Sequence, residues 1–321
     1  MKELVVISGK GGTGKTSIVA SFASLARRAV VADCDVDAAD LHLILRPRIQ
    51  HREDFRGGSK ARIDPSRCGA CGQCLQLCRF EAVAIVENAD GSTSPTYQID
   101  PLLGEGCGVC VDYCPRHAVE LQPTTSGQWF VSQTRFGPLV HARLGIASEN
   151  SGKLVTQLRR TARQLAIERH LDLILCDGSP GIGCPVIASL TGADLVLLVV
   201  EPTISGLHDL RRVGELAEQL RVPGMLVVNK ADLNPEWTDR MEQWAERRRL
   251  PIAGRIPYDV AVTAAQVARQ TVVEAGEGPA AHAIRAVWNI VVDKLRTTVH
   301  RPVRDFVSCA GQCPSLVHWQ D

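Results

Sequence analysis

The chain has 321 residues, 45% of them hydrophobic and 22% charged, enough apolar material for a substantial buried core, so a globular protein is expected. A formal charge of +1 and an aromatic content of 4% provide neither a global field for nucleic acid nor a stacking platform for single strands, and no nucleic-acid partner is expected. The apolar start at residues 4–7 is far shorter than a signal-peptide core, and no uninterrupted apolar run approaches the roughly 18 residues that span a bilayer; the expectation is a soluble, cytoplasmic protein without a membrane partner.

The first strand, at residues 4–7, leads into Gly9-Lys10-Gly11-Gly12-Thr13-Gly14-Lys15-Thr16. This fits G-x4-G-K-[ST] between a strand and a helix, the context a phosphate-binding loop requires. Glycines let backbone amides turn inward around phosphate oxygens, and the following helix adds its positive end. Gly11, Gly12, Thr13, Gly14, Lys15, Thr16 and Ser17 are therefore the candidate nucleotide-binding residues. Lys15 is the point charge for the β- and γ-phosphates, and the Thr16 hydroxyl is a candidate Mg2+ ligand. A second strand at 29–32 runs into Asp33-Cys34-Asp35-Val36-Asp37. Asp33 and Asp37 could serve as helix caps or outer acceptors.

Residues 46–67, rich in Arg, Gly and Asp, break the strand–helix rhythm and open an insert that runs to about residue 122. Within it Cys68, Cys71, Cys74 and Cys78 read C-x2-C-x2-C-x3-C, and Gly104, Cys107, Cys110 and Cys114 repeat the frame. Residues 82–85 align with 118–121 in the same register, so two equivalent half-units are expected, joined by a turn at residues 89–92. This is ferredoxin spacing, in which three thiolates converge on one cubane and the fourth cysteine of each run ligates the other cluster. On that rule Cys68, Cys71, Cys74 and Cys114 hold one [4Fe-4S] cluster. The second has Cys78, Cys107 and Cys110, with Gly104 where the fourth ligand belongs. That gap allows a [3Fe-4S] cluster, or a [4Fe-4S] cluster completed by water, Glu105 or an external thiolate. Zinc prefers four ligands of C-x2-C…C-x2-C type, and seven cysteines in an eight-position frame point to iron and sulfur instead. Arg79, in place of the proline that follows Cys114, leaves ligation intact.

The α/β pattern resumes near residue 128. Strands at 171–176, 195–200 and 225–228 alternate with helices at 153–169 and 207–221, the pattern of a doubly wound, mostly parallel sheet covered by helices on both faces. Asp177-Gly178-Ser179-Pro180-Gly181 follows the first of these strands and Asn229-Lys230-Ala231-Asp232 the last. Residues 256–259 either close a base pocket or start a helix. A final helix at 281–299 precedes a tail, 300–321, with Cys309 and Cys313, read as ordinary thiols. The boundaries are 1–58 and 124–299 for the nucleotide domain, 59–123 for the α+β ferredoxin-like insert and 300–321 for the tail.

Lys10, just inside the first glycine, makes the loop resemble the deviant Walker A loop of the MinD/ParA/Mrp ATPases and of the nitrogenase iron protein. Over nearly its whole length the chain resembles MinD-superfamily P-loop ATPases carrying an inserted ferredoxin domain. The resemblance implies a sandwich dimer, either a homodimer or a heterodimer with a related ATPase, in which Lys10 reaches the partner subunit's phosphates. It implies that Asp35 orients the attacking water, that Asp177 reaches Mg2+ through water, and that Gly181 lets the backbone approach the γ-phosphate. Lys10, Lys15 and Asp35 are thus the catalytic candidates for hydrolysis of ATP to ADP and phosphate. Asn229 and Asp232 resemble the N-K-x-D base-recognition motif of GTPases, whereas the family mostly hydrolyses ATP, and ATP is the expected nucleotide. Cys184 lies near where the nitrogenase iron protein places a ligand of its intersubunit cluster. No second cysteine occurs between 115 and 175, so Cys184, Cys176 and Cys34 are read as buried small hydrophobes. Three roles follow: a nucleotide-gated electron carrier with a redox or iron-sulfur protein partner, a cluster carrier of Mrp type, or a MinD-like positioning switch. The last needs a basic amphipathic terminal helix for membrane binding, which the proline-bearing tail does not provide.

Overall fold

The computed structural model describes residues 1–86, 95–145 and 151–298. The turn expected at 89–92, the end of the last expected helix at 299, and the tail with Cys309 and Cys313 lie outside these residues. The elements of the first half are β1 (Lys2–Ser8), α1 (Lys15–Leu25), β2 (Ala29–Cys34), α2 (Leu41–Leu45), β3 (Arg48–Phe55), β4 (Gly58–Ile63), α3 (Gln73–Leu77), β5 (Val83–Val86), β6 (Thr96–Ile99), α4 (Val109–Asp112), β7 (Val119–Thr124), β8 (Gly127–Thr134) and β9 (Gly137–Leu144). There follow α5 (Ser151–Glu168), β10 (Leu173–Gly178), α6 (Cys184–Leu190), β11 (Leu195–Val200), α7 (Ile204–Gln219), β12 (Gly224–Asn229), α8 (Pro235–Arg247), β13 (Ile252–Ile256), α9 (Val260–Val267), α10 (Val272–Ala275) and α11 (Pro279–Thr297).

One sheet organises the molecule, in the order β13-β12-β11-β1-β10-β2-β9-β8-β3. Its central strands are buried along nearly their whole length, which is why they read as continuous Val, Leu and Ile rather than alternating. On one face lie α5, α6, α7 and α8, contributing Leu154, Leu158, Val186, Leu210 and Met241 to the core. On the other lie α1, α9 and α11, contributing Ile18, Phe22, Ala265, Ile284 and Val287. The buried residues of α5, Leu154, Val155, Leu158, Ala162 and Leu165, recur at the spacing of one helical face. Among the described residues no helix is long and apolar enough to cross a membrane.

The sheet is parallel from β13 to β9, but β8 runs antiparallel to β9 and β3 antiparallel to β8. Within residues 46–67, which break the strand–helix rhythm in sequence, 48–55 form the edge strand of the main sheet. Its sequence, RIQHREDF, is exposed at most positions, so neither face carried the apolar signal of a strand.

Between β3 and β8 the chain leaves the sheet. Strands β4 and β7 pair antiparallel, as do β5 and β6, around a small core of Ile63, Val83, Tyr97 and Val119 with cysteines packed against it. Its two halves repeat in hydrogen bonding and backbone. Asp64 N donates to Ala118 O and Asp100 N to Ala82 O, both at 2.7 Å. Positive φ recurs in pairs at Ala70 and Gly106, Gly72 and Gly108, and Glu81 and His117, all at the sequence offset that separates Cys68 from Gly104.

Beneath the main sheet Glu3 of β1 meets two arginines of α5, with Arg159 Nε at 2.6 Å and Arg163 Nη2 at 2.9 Å. Arg159 also donates to the carbonyls of Ala188 and Thr191 at the end of α6, and Glu3 N donates to Asp194 Oδ2 at 2.7 Å. Removing one partner of a buried pair strands the other charge. Glu3→Leu is therefore expected to cost about 3–5 kcal/mol in urea unfolding, and the double change Glu3→Leu with Arg159→Met to recover most of it; a single-variant loss under about 1 kcal/mol would show that the clasp contributes little.

Candidate functional site

The carboxyl ends of β1, β2, β10, β11 and β12 converge on the loop between β1 and α1, where doubly wound sheets bind ligands. Helix α1 begins after Gly14, whose φ of 87° is left-handed, with no side-chain cap and no acidic residue in its first turn. Its first amides are left available to an anion. A Cβ at Gly14 would lie 2.3 Å from Asn229 Nδ2, so glycine is required there by space as well as by conformation.

Lys15 points into a buried nest of carboxylates, with Nζ 2.7 Å from Asp177 Oδ1 and 3.0 Å from Asp35 Oδ2. Burial pulls its pKa down, but Asp177 and Asp35 more than offset this and hold the ammonium charged above the usual lysine range. Burial raises the Asp35 carboxyl while Lys15 opposes it. Asp33 is fully enclosed and pushed well above the ordinary range by burial and then by Asp177, although Leu41 N donates to its Oδ2 at 3.3 Å. Four buried oxygens around the lysine have no protein partner: Thr13 Oγ1, Asp33 Oδ1, Asp35 Oδ1 and Asp177 Oδ2. Acceptors left without donors in a buried site are what an incoming cation and its waters would satisfy. Thr16, half-buried on the first turn of α1, completes the residue types that fit Mg2+. Neighbouring Ser17 Oγ accepts from Gln266 Nε2 at 2.7 Å.

Lys10 is partly exposed and held by its own chain, 3.3 Å from Glu201 Oε2, with Thr203 and Ser205 hydroxyls at 3.5 Å. Glu201 also pairs with Lys230, whose Nζ reaches Gly12 O at 3.4 Å. Glu201 was not singled out in the sequence, and Lys230 only as part of the Asn229–Asp232 motif; the available signal was a charged residue directly after each of the apolar strands β11 and β12. Gly181 N donates to Ser8 O at 2.9 Å and Ser179 Oγ to Cys34 O at 2.8 Å, fastening the segment after β10 to β1 and β2. A Cβ at Gly181, with φ of 91°, would meet open space. Asn229 Nδ2 donates to Thr13 O at 2.7 Å, so this amide braces the phosphate loop, and Asp232 Oδ1 accepts from Tyr258 N at 2.6 Å. Asp259 caps α9 through Ala261 N, the helix-start alternative for residues 256–259.

Residues 4–272 match the family described as the CobQ/CobB/MinD/ParA nucleotide binding domain. The chain belongs to this family. It is 33% identical over 235 residues, 72% of this chain and 79% of the relative, to the uncharacterized protein MJ0578 of Methanocaldococcus jannaschii. Its fold is similar to that of the septum site-determining protein MinD complexed with Mg-ADP from Pyrococcus horikoshii OT3, with TM-score 0.56 and 17% identity over 92% of this chain and 97% of that one. It is likewise similar to MinD in the MinC:MinD cell division protein complex of Aquifex aeolicus, with TM-score 0.54 and 19% identity over 91% and 96% of the two chains.

Apart from the family's nucleotide site, seven cysteines lie between β3 and β8, and four of them share a cavity. Cys68, Cys71, Cys74 and Cys114 line one cavity together with Ile63, Tyr97 and Val119. Burial and then the nearby Cys68 raise the Cys74 thiol, while burial and then Cys107, Cys74 and Cys78 raise Cys110. Cys114 thus lines the same cavity as the first run, while Cys110 lies near cysteines of both runs. Ala118 N lies 3.2 Å from Cys114 Sγ, donating to it. Among the described residues no three His, Cys, Asp or Glu side chains form a site for a single metal ion.

Cys34 and Cys176 are buried, as expected, but Cys184 is exposed. It starts α6 on the solvent side, and the buried positions of that helix are Val186, Ser189 and Leu190.

The Asp33 shift has a testable consequence. A carboxyl whose folded pKa lies above its unfolded value contributes most favourably below the unfolded pKa, and that contribution is lost as pH rises through the folded pKa. Asp33→Asn, which keeps an acceptor for Leu41 N, is expected to stabilise the nucleotide-free protein at pH 8 by on the order of 1 kcal/mol. The gain should shrink as the pH is lowered toward the unfolded carboxylate range. Thermal unfolding against pH reads this, and a gain independent of pH would contradict it.

Proposed function

We propose that the protein binds and hydrolyses MgATP in a nucleotide-driven dimer, and that residues 59–123 form an inserted ferredoxin-like domain whose clusters carry electrons or dock a redox partner. The flanking parts are 1–58 and 124–299, with 300–321 as a tail. The observation that carries the reading is the buried Lys15 held between Asp35 and Asp177, with the outer oxygens of both carboxylates unpartnered. An arriving triphosphate competes for the ammonium. Lys15 turns to the β- and γ-phosphate oxygens, and the amides of residues 11–16 close around them. The two carboxylates are thereby released: Asp177, with Thr16, would hold Mg2+, which supplies charge neutralisation at the β- and γ-oxygens. Asp35 is free to orient a water molecule. That water's oxygen bonds to the γ-phosphorus as the bond to the β–γ bridging oxygen breaks. ADP leaves with the electron pair, and the water's proton passes to the phosphate product.

Dimerisation is supported by Lys10, which sits at the rim on a loop and is restrained by Glu201 alone among carboxylates within the described residues. Adenine as the base is supported by Asp232, which already accepts from Tyr258 N. For the clusters, Cys68, Cys71, Cys74 and Cys114 would hold a [4Fe-4S] group and Cys78, Cys107 and Cys110 a second; bound there, each supplies one-electron transfer. The chain path supports coupling, because Asp35 leads through α2, β3 and β4 directly to Cys68.

Lys15→Ala is expected to abolish nucleotide binding in calorimetry. Asp35→Ala should retain binding and lower turnover by about 100-fold or more; unchanged turnover removes Asp35 from the reaction. Coupling is read from the EPR of dithionite-reduced protein with and without MgATP. A nucleotide-dependent change in signal or potential is expected, and spectra indifferent to nucleotide would leave a cluster-carrier or positioning role.

A further inference from the structure

The two cysteine half-units share one turn, and the comparison locates what is missing. Cys68 N donates to Asp64 O at 3.0 Å and Gly104 N to Asp100 O at 2.9 Å. Asp64 Oδ1 accepts from Ser66 N and Asp100 Oδ1 from Leu102 N. Gly104 therefore occupies the place of Cys68 with its hydrogen bonds intact, so the register is preserved and only the thiolate is lost. Nor does the backbone require glycine there, because Gly104 is absent from the positive-φ residues. A Cβ at 104 would lie 3.0 Å from Asp100 O and 3.1 Å from Ile99 Cγ2, so a side chain there requires these neighbours to give by a few tenths of an ångström.

Two further differences accompany the first. Tyr97 walls the Cys68 cavity, and the residue at its repeat position in the other half is the small Ala61. Lys60, beside Ala61 on β4, places Nζ 2.6 Å from Gly104 O, bringing a positive charge to the blank position. A missing ligand and an added cation meet at Gly104, and the ring of the other half is missing at the repeat position.

We propose that Cys78, Cys107 and Cys110 would hold the second cluster as a three-thiolate [4Fe-4S] site, and that the position left by Gly104 would admit a small exogenous anionic ligand to it, a thiolate by the softness of iron-sulfur ligation. This rests on the iron-sulfur reading above. Lys60 offsets the ligand's charge and Ala61 admits its bulk. The first site, closed by Cys68 and Tyr97, takes none.

The test uses the full chain, reconstituted anaerobically and reduced with dithionite, with 2-mercaptoethanol as the probe. About eight iron atoms per chain are expected, with one of two cluster EPR signals shifting on thiol titration and the other unmoved. Gly104→Cys should abolish the response at unchanged iron content, and Ala61→Tyr should weaken it. The titration of unsubstituted protein stands even if either variant fails to fold. About seven iron atoms with an as-isolated [3Fe-4S] signal would overturn the proposal, as would two signals indifferent to thiol. Loss of iron from the second site in Glu105→Gln would overturn it as well, by making that carboxylate the ligand. Absence of any iron would refute the cluster reading itself, a failure told apart from the others by iron content alone.

Discussion

The structure turns on one buried cation. Lys15 faces Asp35 and Asp177 directly, with Asp33 enclosed behind them, so three carboxyl groups share a single ammonium in a region with little solvent. Opposite charge stabilises such a group and like charge destabilises it, with weak screening at this depth. The balance is met in part by the raised proton affinity of Asp33. On the proposed reading, phosphate can draw Lys15 away only if something else neutralises the carboxylates it leaves. A divalent cation meets that requirement, which gives a physical reason for nucleotide and metal to enter together.

The sheet makes this concentration of charge tolerable. Asp33 and Cys34 close β2, Asp177 lies near the end of β10, and the register pairs Asp177 with Asp33 across adjacent parallel strands. Each carboxylate is fixed by strand geometry, so the repulsion between them cannot be relieved by moving apart. The segment after β10 is tied to both neighbours, through Gly181 to Ser8 and through Ser179 to Cys34. A change in who holds Lys15 is therefore felt at three strand ends at once. One of these continues into α2 and the mixed edge from which the cysteine unit departs.

Much of this was legible in the sequence because the informative residues carry their meaning locally. The loop from Gly9 to Thr16 declares itself by spacing, and β10 to β12 by apolar runs of the right length. The seven cysteines declare a repeat, and the matched turns at Asp64 and Asp100 give it a backbone counterpart. What was not legible depended on pairing at a distance. Strand β3 is solvated on both sides, so its membership in the sheet is visible only through its register with β8. Cys184 was read by its neighbourhood in sequence, whereas the solvent-facing start of α6 decides its exposure. Asn229 was assigned by a motif to the base, yet its amide lies on Thr13 O because Gly14 leaves room for it.

The same logic separates the two cysteine half-units. Duplicated segments begin with identical demands, and a half-unit that keeps the hydrogen bond from position 104 to Asp100 O shows that its turn does not need the lost side chain. At Gly104 the turn survives, the neighbouring strand carries Ala61 where the other half has Tyr97, and Lys60 reaches in to the carbonyl. Random decay of a ligand would leave the rest of the pocket matched to a cluster closed by protein. Instead three positions differ in one direction, toward space and positive charge. On the proposed reading, that asymmetry makes the halves chemically distinct, one closed by its own thiolates and the other open to a ligand from outside.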